Sequence, residues 1–213
     1  MRGIRHIFLA AGIMTPATGL AHPHLFVETA LTILYEGDIP VGVQVEWIYD
    51  DFFSLLLTSD LGIDLDGDLA LSAEEEAVLD AAVTAWPEGF AGDLEVRQNG
   101  ELVPLGDKTD HTMSYEAGIV RETHVRPLPQ LNDPNITLQA FDPFYYIAYD
   151  LTQPVQIIGR TDCDVAVFPA DLDAARALVA DLLDGLAPED VGPDEPFPEV
   201  GSEFADKVSV TCG

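Results

Sequence analysis

The run LFVETALTILYEGDIPVGVQVEWIY, Leu25 to Tyr49, decides how the chain begins to fold. Over residues 25–35 the odd positions Leu25, Val27, Leu31, Ile33 and Tyr35 are apolar, while Glu28 and Thr32 occupy even ones. That period of two marks a half-buried strand. After the turn Glu36, Gly37 and Asp38, residues Val41, Val43, Val45, Trp47 and Tyr49 share a face opposite Gln44 and Glu46, so the two runs form an antiparallel hairpin.

Upstream, residues 1–21 have Arg2 and Arg5 in front, an apolar centre over 7–14, and Gly19 and Ala21 where a signal peptidase inspects the chain. This pattern predicts a secretory signal peptide cut after Ala21 and a periplasmic mature protein of residues 22–213. The apolar run is too short to anchor in a bilayer, and no later stretch is long and uncharged enough, so no membrane span is expected after processing. Removing the leader leaves 7 Lys+Arg against 38 Asp+Glu, a formal charge of −31 compared with −29 before. So acidic a surface argues against nucleic acid or anionic lipid as partner and concentrates cations without choosing among them; a salt-adapted source gives the same composition.

Cleavage would make His22 the first residue. Its α-amine and imidazole form a bidentate chelate for a borderline transition metal, zinc, nickel or cobalt, and His24 offers a third nitrogen. Pro23 has no amide proton to lose, which blocks the square-planar mode that uses backbone nitrogens. The plainer reading is a pair of polar residues at a frayed terminus.

Beyond the hairpin, Asp50 and Asp51 can cap a helix over 52–58, with Phe53, Leu56 and Leu57 at helical spacing. Residues 64–75 then place Asp64, Asp66 and Asp68 at the first, third and fifth positions of a twelve-residue loop, with Ser72 ninth and Glu75 twelfth. That is the ligand order of an EF-hand-like calcium loop. Its sixth position, where the turn calls for positive φ and glycine, is Leu69. Ser72 and Glu75 equally spell a capping box for a helix over 73–86, with Val78, Leu79, Ala82 and Val83 facing inward. Residues 52–88 thus form a helix, acidic loop and helix inserted between strands.

A hairpin over 94–105 turning at Asn99 and Gly100 follows, then one long extended run over 111–127. The run contains His111, a remote candidate ligand, and His124, a surface or packing histidine that shares a strand face with Arg126. Strands over 135–141 and 145–151 flank a bend at 142–144, with the aromatics there read as core, and strands over 155–158 and 163–168 come next. Asp171 caps a helix to residue 186 with Ala175, Leu178, Val179, Leu182 and Leu183 on one stripe, residues 187–203 read as a surface linker, and a closing strand runs over 208–212. Cys163 and Cys212 are the two cysteines, and in an oxidising compartment they are expected to pair as a disulfide.

The fold class expected is α+β: one periplasmic domain, mainly antiparallel sheet, with the EF-hand-like helix–loop–helix insertion and a C-terminal helix. No GxSxG, HExxH, P-loop or dinucleotide fingerprint is present, so an enzyme is not expected.

Taken together, the AHPHLFV start, Glu46-Trp47, the 64–75 loop, FDPFYY over 141–146 and the VSVTC ending resemble an uncharacterised bacterial family, domain-of-unknown-function family 1007. The family is described as a periplasmic component of an ABC-type transport system. The resemblance spans nearly the whole mature chain and implies an accessory role beside an inner-membrane nickel, cobalt or zinc transporter. The leading expectation is binding of a divalent transition metal through His22 and His24, with calcium at Asp64, Asp66, Asp68, Ser72 and Glu75 stiffening the insertion. Two alternatives stay open: a calcium-stabilised interaction module that binds no transition metal, and a copper oxidoreductase with an N-terminal histidine brace completed by a further histidine.

Overall fold

A computed structural model describes residues 23–87, 90–129, 131–185, 191 and 197–213. His22 and the leader lie outside the described residues. The opening hairpin forms as its alternation requires: β1 (Leu25–Glu36) pairs antiparallel with β2 (Ile39–Tyr49), and Val27, Leu31, Ile33, Val43, Val45 and Trp47 are buried on one face.

Two sheets, not one, share the apolar core. The first has the order β5 (Thr109–Glu116), β6 (Ile119–Pro127), β2, β1, β8 (Ile147–Leu151), with β9 (Gln156–Ile158) also paired to β1. The second has the order β10 (Cys163–Phe168), β11 (Lys207–Cys212), β7 (Ile136–Ala140), β3 (Leu94–Gln98), β4 (Glu101–Leu102). Leu94, Val96, Ile136, Leu138, Val208 and Val210 of the second sheet pack with Leu31, Ile33, Val45 and Trp47 of the first. The architecture is α+β and mostly antiparallel, except that β8 and β9 run parallel to β1. Parallel pairing needs a long crossover, and no local pattern announces it.

Several expectations are corrected. The run 111–127 is not one strand: it folds into the β5–β6 hairpin through Ala117 and Gly118, both at positive φ. Helix α1 (Asp51–Leu61) runs past residue 58 to a left-handed cap at Gly62, and it buries Ser54 and Thr58 while Leu56 is exposed. In α2 (Ala73–Thr84) Leu79 is buried, but Val78 and Ala82 face solvent. In α3 (Leu172–Leu182) Ala175 and Val179 are buried and Leu178 and Leu182 exposed. The segment read as a surface linker contributes Val191, Phe197 and Val200 to a small core with Val179, and continues into a 3-10 turn, Gly201–Phe204. Of the aromatics over 141–146, Phe144 and Tyr146 are half exposed.

The helix caps form as expected. Asp50 Oδ1 accepts from Phe53 N at 2.6 Å, Ser72 and Glu75 close a capping box, and Asp171 Oδ1 accepts from Ala174 N at 3.0 Å. Cys163 and Cys212, directly opposed across β10 and β11, are disulfide-bonded. No helix among the described residues is long and apolar enough to cross a membrane.

Candidate functional site

His24 precedes β1, which lies inside its sheet between β2 and β8, so the residue sits at the end of an interior strand. Its amide donates to Tyr146 O at 2.8 Å and its ring lies 4.5 Å from the Tyr146 ring. His124 is opposite Val45, itself opposite Leu31, seven residues further along β1. At the rise of an extended strand that is roughly 20 Å from His24. His111 lies beside Glu122, its Nε2 3.3 Å from Oε1, so neither of these histidines reaches His24.

The acidic loop lies between α1 and α2, which pack on the β5–β6 hairpin through Ile63, Leu79 and Val120. Carboxylate oxygens of Asp64, Asp66 and Asp68 lie within 4.8 Å of one another. The loop is shaped by its own side chains: Asp64 Oδ1 accepts from Leu69 N at 3.2 Å, and Asp68 Oδ1 from Ala70 N at 2.9 Å. Leu69 takes the left-handed conformation the sixth position calls for, at φ 63°, and its side chain lies against Gly118. Glu75 stands outside that cluster of oxygens, its carboxylate taken up by two amides and a hydroxyl. Its Oε2 accepts from Ser72 N (2.9 Å) and Ser72 Oγ (2.8 Å), and its Oε1 from Asp64 N (3.0 Å). The Ser72 amide first, then its hydroxyl and the Asp64 amide, hold the Glu75 carboxyl below the usual carboxylate range.

A third constellation escaped the sequence reading. The face of β6 turned to the interior carries Val120, Glu122, His124 and Arg126, all buried. Lys108 Nζ lies 3.2 Å from Glu122 Oε1 and 4.2 Å over the Trp86 ring. Tyr49 donates to Glu122 Oε2 at 3.4 Å. His124 is wedged edge-on between Trp47 and Trp86, at 4.8 and 4.9 Å. It is thus the packing histidine expected, but a fully buried one: burial first, then the Lys108 and Arg126 cations, push its pKa down to about 3, leaving it neutral. The usable signal was the alternation Glu122, His124, Arg126; with Arg121 and Thr123 on the opposite face, both faces carry polar residues and burial was not decidable.

A family model described as "Protein of unknown function (DUF1007)" matches residues 7–212, in agreement with the resemblance carried by the motifs. No curated protein and no solved structure matches.

Proposed function

We propose that this chain, which belongs to the DUF1007 family, is an exported accessory protein of a membrane transport system that binds divalent cations, with calcium in the loop of residues 64–75. The observation that carries the reading is the convergence of Asp64, Asp66 and Asp68 oxygens within 4.8 Å, at alternate positions of a loop joining two helices. Hard carboxylate oxygens in that number suit calcium over softer metals.

To supply a twelfth-position ligand, Glu75 must give up its bonds to Ser72 and Asp64, and Leu69 already bears a left-handed backbone; both weaken binding. Affinity is therefore placed near that of extracellular calcium modules, with Kd on the order of 10⁻⁴–10⁻³ M. Export is supported by the leader and by the Cys163–Cys212 bond, since such bonds persist in oxidising compartments.

The test is calcium titration by calorimetry with thermal melts in calcium and in chelator, on wild type and on Asp64→Asn/Asp66→Asn. Calcium should raise the wild-type Tm by several degrees and leave the double variant unmoved; a wild-type melt indifferent to calcium rejects the reading.

Transition-metal binding at the processed N-terminus is a second proposal, favoured by the anchoring of His24 on Tyr146. Protein starting at His22 should bind zinc, nickel or cobalt more tightly than protein carrying two extra residues in front. Equal affinity of the two forms removes it.

A further inference from the structure

A carboxylate drawn out of water is unfavourable unless a cation or enough hydrogen bonds answer it. Asp93, just before β3, is only half answered. Its Oδ2 accepts from Tyr149 OH at 2.7 Å, and Oδ1 has no hydrogen-bond partner among the described residues. The nearby cations are engaged elsewhere: Arg97 pairs with Glu95, and the Arg126 guanidinium donates to the Gly106 and Ala91 carbonyls. Burial, opposed in part by the Tyr149 hydrogen bond and aided by the Asp142 charge, pushes the Asp93 carboxyl up to about 6, so at neutral pH it is still mostly an anion without a counter-charge.

Asp93 lines a cleft of about 350 Å³, within the size range of small-molecule sites. The cleft forms where three segments are fastened together. Phe141 N donates to Asp93 O at 2.9 Å, and Gly201 N donates to Pro143 O at 2.9 Å, which draws the 3-10 turn against the bend that follows β7. Gly201 permits that approach, since a Cβ there would overlap the Asp142 carbonyl. Asp93 is left-handed, at φ 47°, a conformation disfavoured for a residue with a Cβ and one that gathers at ligand sites. Tyr149, whose ring lies 5.6 Å from that of Trp47, holds the carboxylate from the core side.

The lining is mostly apolar, with Leu94, Leu102, Phe141 and Pro143 among it, and the described residues that line it include no lysine, arginine or histidine. Its carboxylates do not share a metal ion, because among the described residues only Asp64, Asp66 and Asp68 bring three ligand oxygens within 4.8 Å of one another. A larger cation that carries its charge at one end of an apolar body matches both the charge and the walls. We propose that this cleft binds a small organic amine, its ammonium donating to Asp93 Oδ1 and its hydrocarbon body lying against Leu102, Phe141 and Pro143. The ammonium–carboxylate bond is charge-assisted and partly shielded from water, and the apolar lining takes up the body. The site stands on the second sheet, apart from the acidic loop between α1 and α2, and does not rest on calcium.

The experiment is calorimetric titration of the mature protein with phenethylamine and with isoamylamine, each beside the alcohol of the same body, in chelator so that no metal contributes. One equivalent of at least one amine should bind saturably, about tenfold or more tighter than its alcohol. Asp93→Asn keeps the size of the side chain, an acceptor for Tyr149 and tolerance of the left-handed backbone, so the fold is retained; it should weaken the amine about tenfold or more. Asp164→Asn makes the same charge change on β10, at the opposite edge of the same sheet, and should bind as wild type, which separates a site from the general attraction of an acidic surface. The proposal is overturned by no saturable binding of either amine, by equal affinity for amine and alcohol, by Asp93→Asn binding as wild type, or by equal losses in the two variants.

Discussion

Tyr115 donates its phenolic hydrogen to Asp64 Oδ2 at 2.7 Å, tying strand β5 to the first carboxylate of the loop that follows α1. The sheet thereby sets the orientation of a residue whose other oxygen already holds the turn at Leu69. Burial and the Asp64 carboxylate push the Tyr115 hydroxyl up to about 12, so it remains a donor throughout the physiological range.

Tyr115→Phe should therefore cost about 1 kcal/mol of stability and weaken calcium binding about fivefold, by freeing Asp64 to rotate. Calcium affinity equal to wild type, measured by calorimetry, would show that the tie is structural only.

Leu69 bears a backbone cost of about 1 kcal/mol at its positive φ. Leu69→Gly should relieve most of it, raising Tm by up to a few degrees and tightening calcium. A Tm drop of more than about 3 °C would mean that the contact between the Leu69 side chain and Gly118 outweighs the strain.

Asp93 accepts from Tyr149 OH at 2.7 Å, yet burial pushes its carboxyl up to about 6. Because its folded pKa lies above the unfolded value, the native state binds the extra proton between about pH 4 and pH 6. Its contribution to stability is thus highest below that window and is lost as pH rises through 6. Asp93→Asn removes the titration, so the stability of the variant relative to wild type should grow across the window and level off above it. Parallel denaturation curves at pH 4.5 and pH 7.5 would contradict this.

The disulfide closes a loop between residues 49 apart and joins directly opposed positions on β10 and β11. Cys163→Ser/Cys212→Ser should cost on the order of 4 kcal/mol in the chain-entropy account. The loss should appear as a Tm lower by ten degrees or more, with calcium affinity unaltered because the loop lies on the other sheet. A Tm within a few degrees of wild type would show that strand pairing alone holds the end.

Legibility in the sequence followed the range of the interaction. The β1–β2 hairpin was readable because apolar residues alternate on both arms and Gly37 turns between them. The caps at Asp50, Ser72 and Asp171 were readable because each bonds an amide three residues away. Leu69 could be named as strained because the loop's register requires a left-handed residue there whatever surrounds it. The faces of the helices were less readable. Val78 has the spacing of an inward residue, but α2 presses on the sheet along the narrow line of Leu79, and α1 buries Ser54, whose hydroxyl bonds Val120 N at 3.1 Å.

What the sequence alone determined was thus local: the first hairpin, the helix starts, the acidic loop with its misfit leucine, and the cysteine pair. Tertiary structure decided the rest: that the strands divide into two sheets, that β8 and β9 add in parallel beside β1, and that β6 turns Glu122, His124 and Arg126 inward. A strand's period of two separates its faces but does not say which is covered when both are polar. That depends on Trp47, Trp86 and Lys108 arriving from distant parts of the chain, whose positions no short-range pattern encodes.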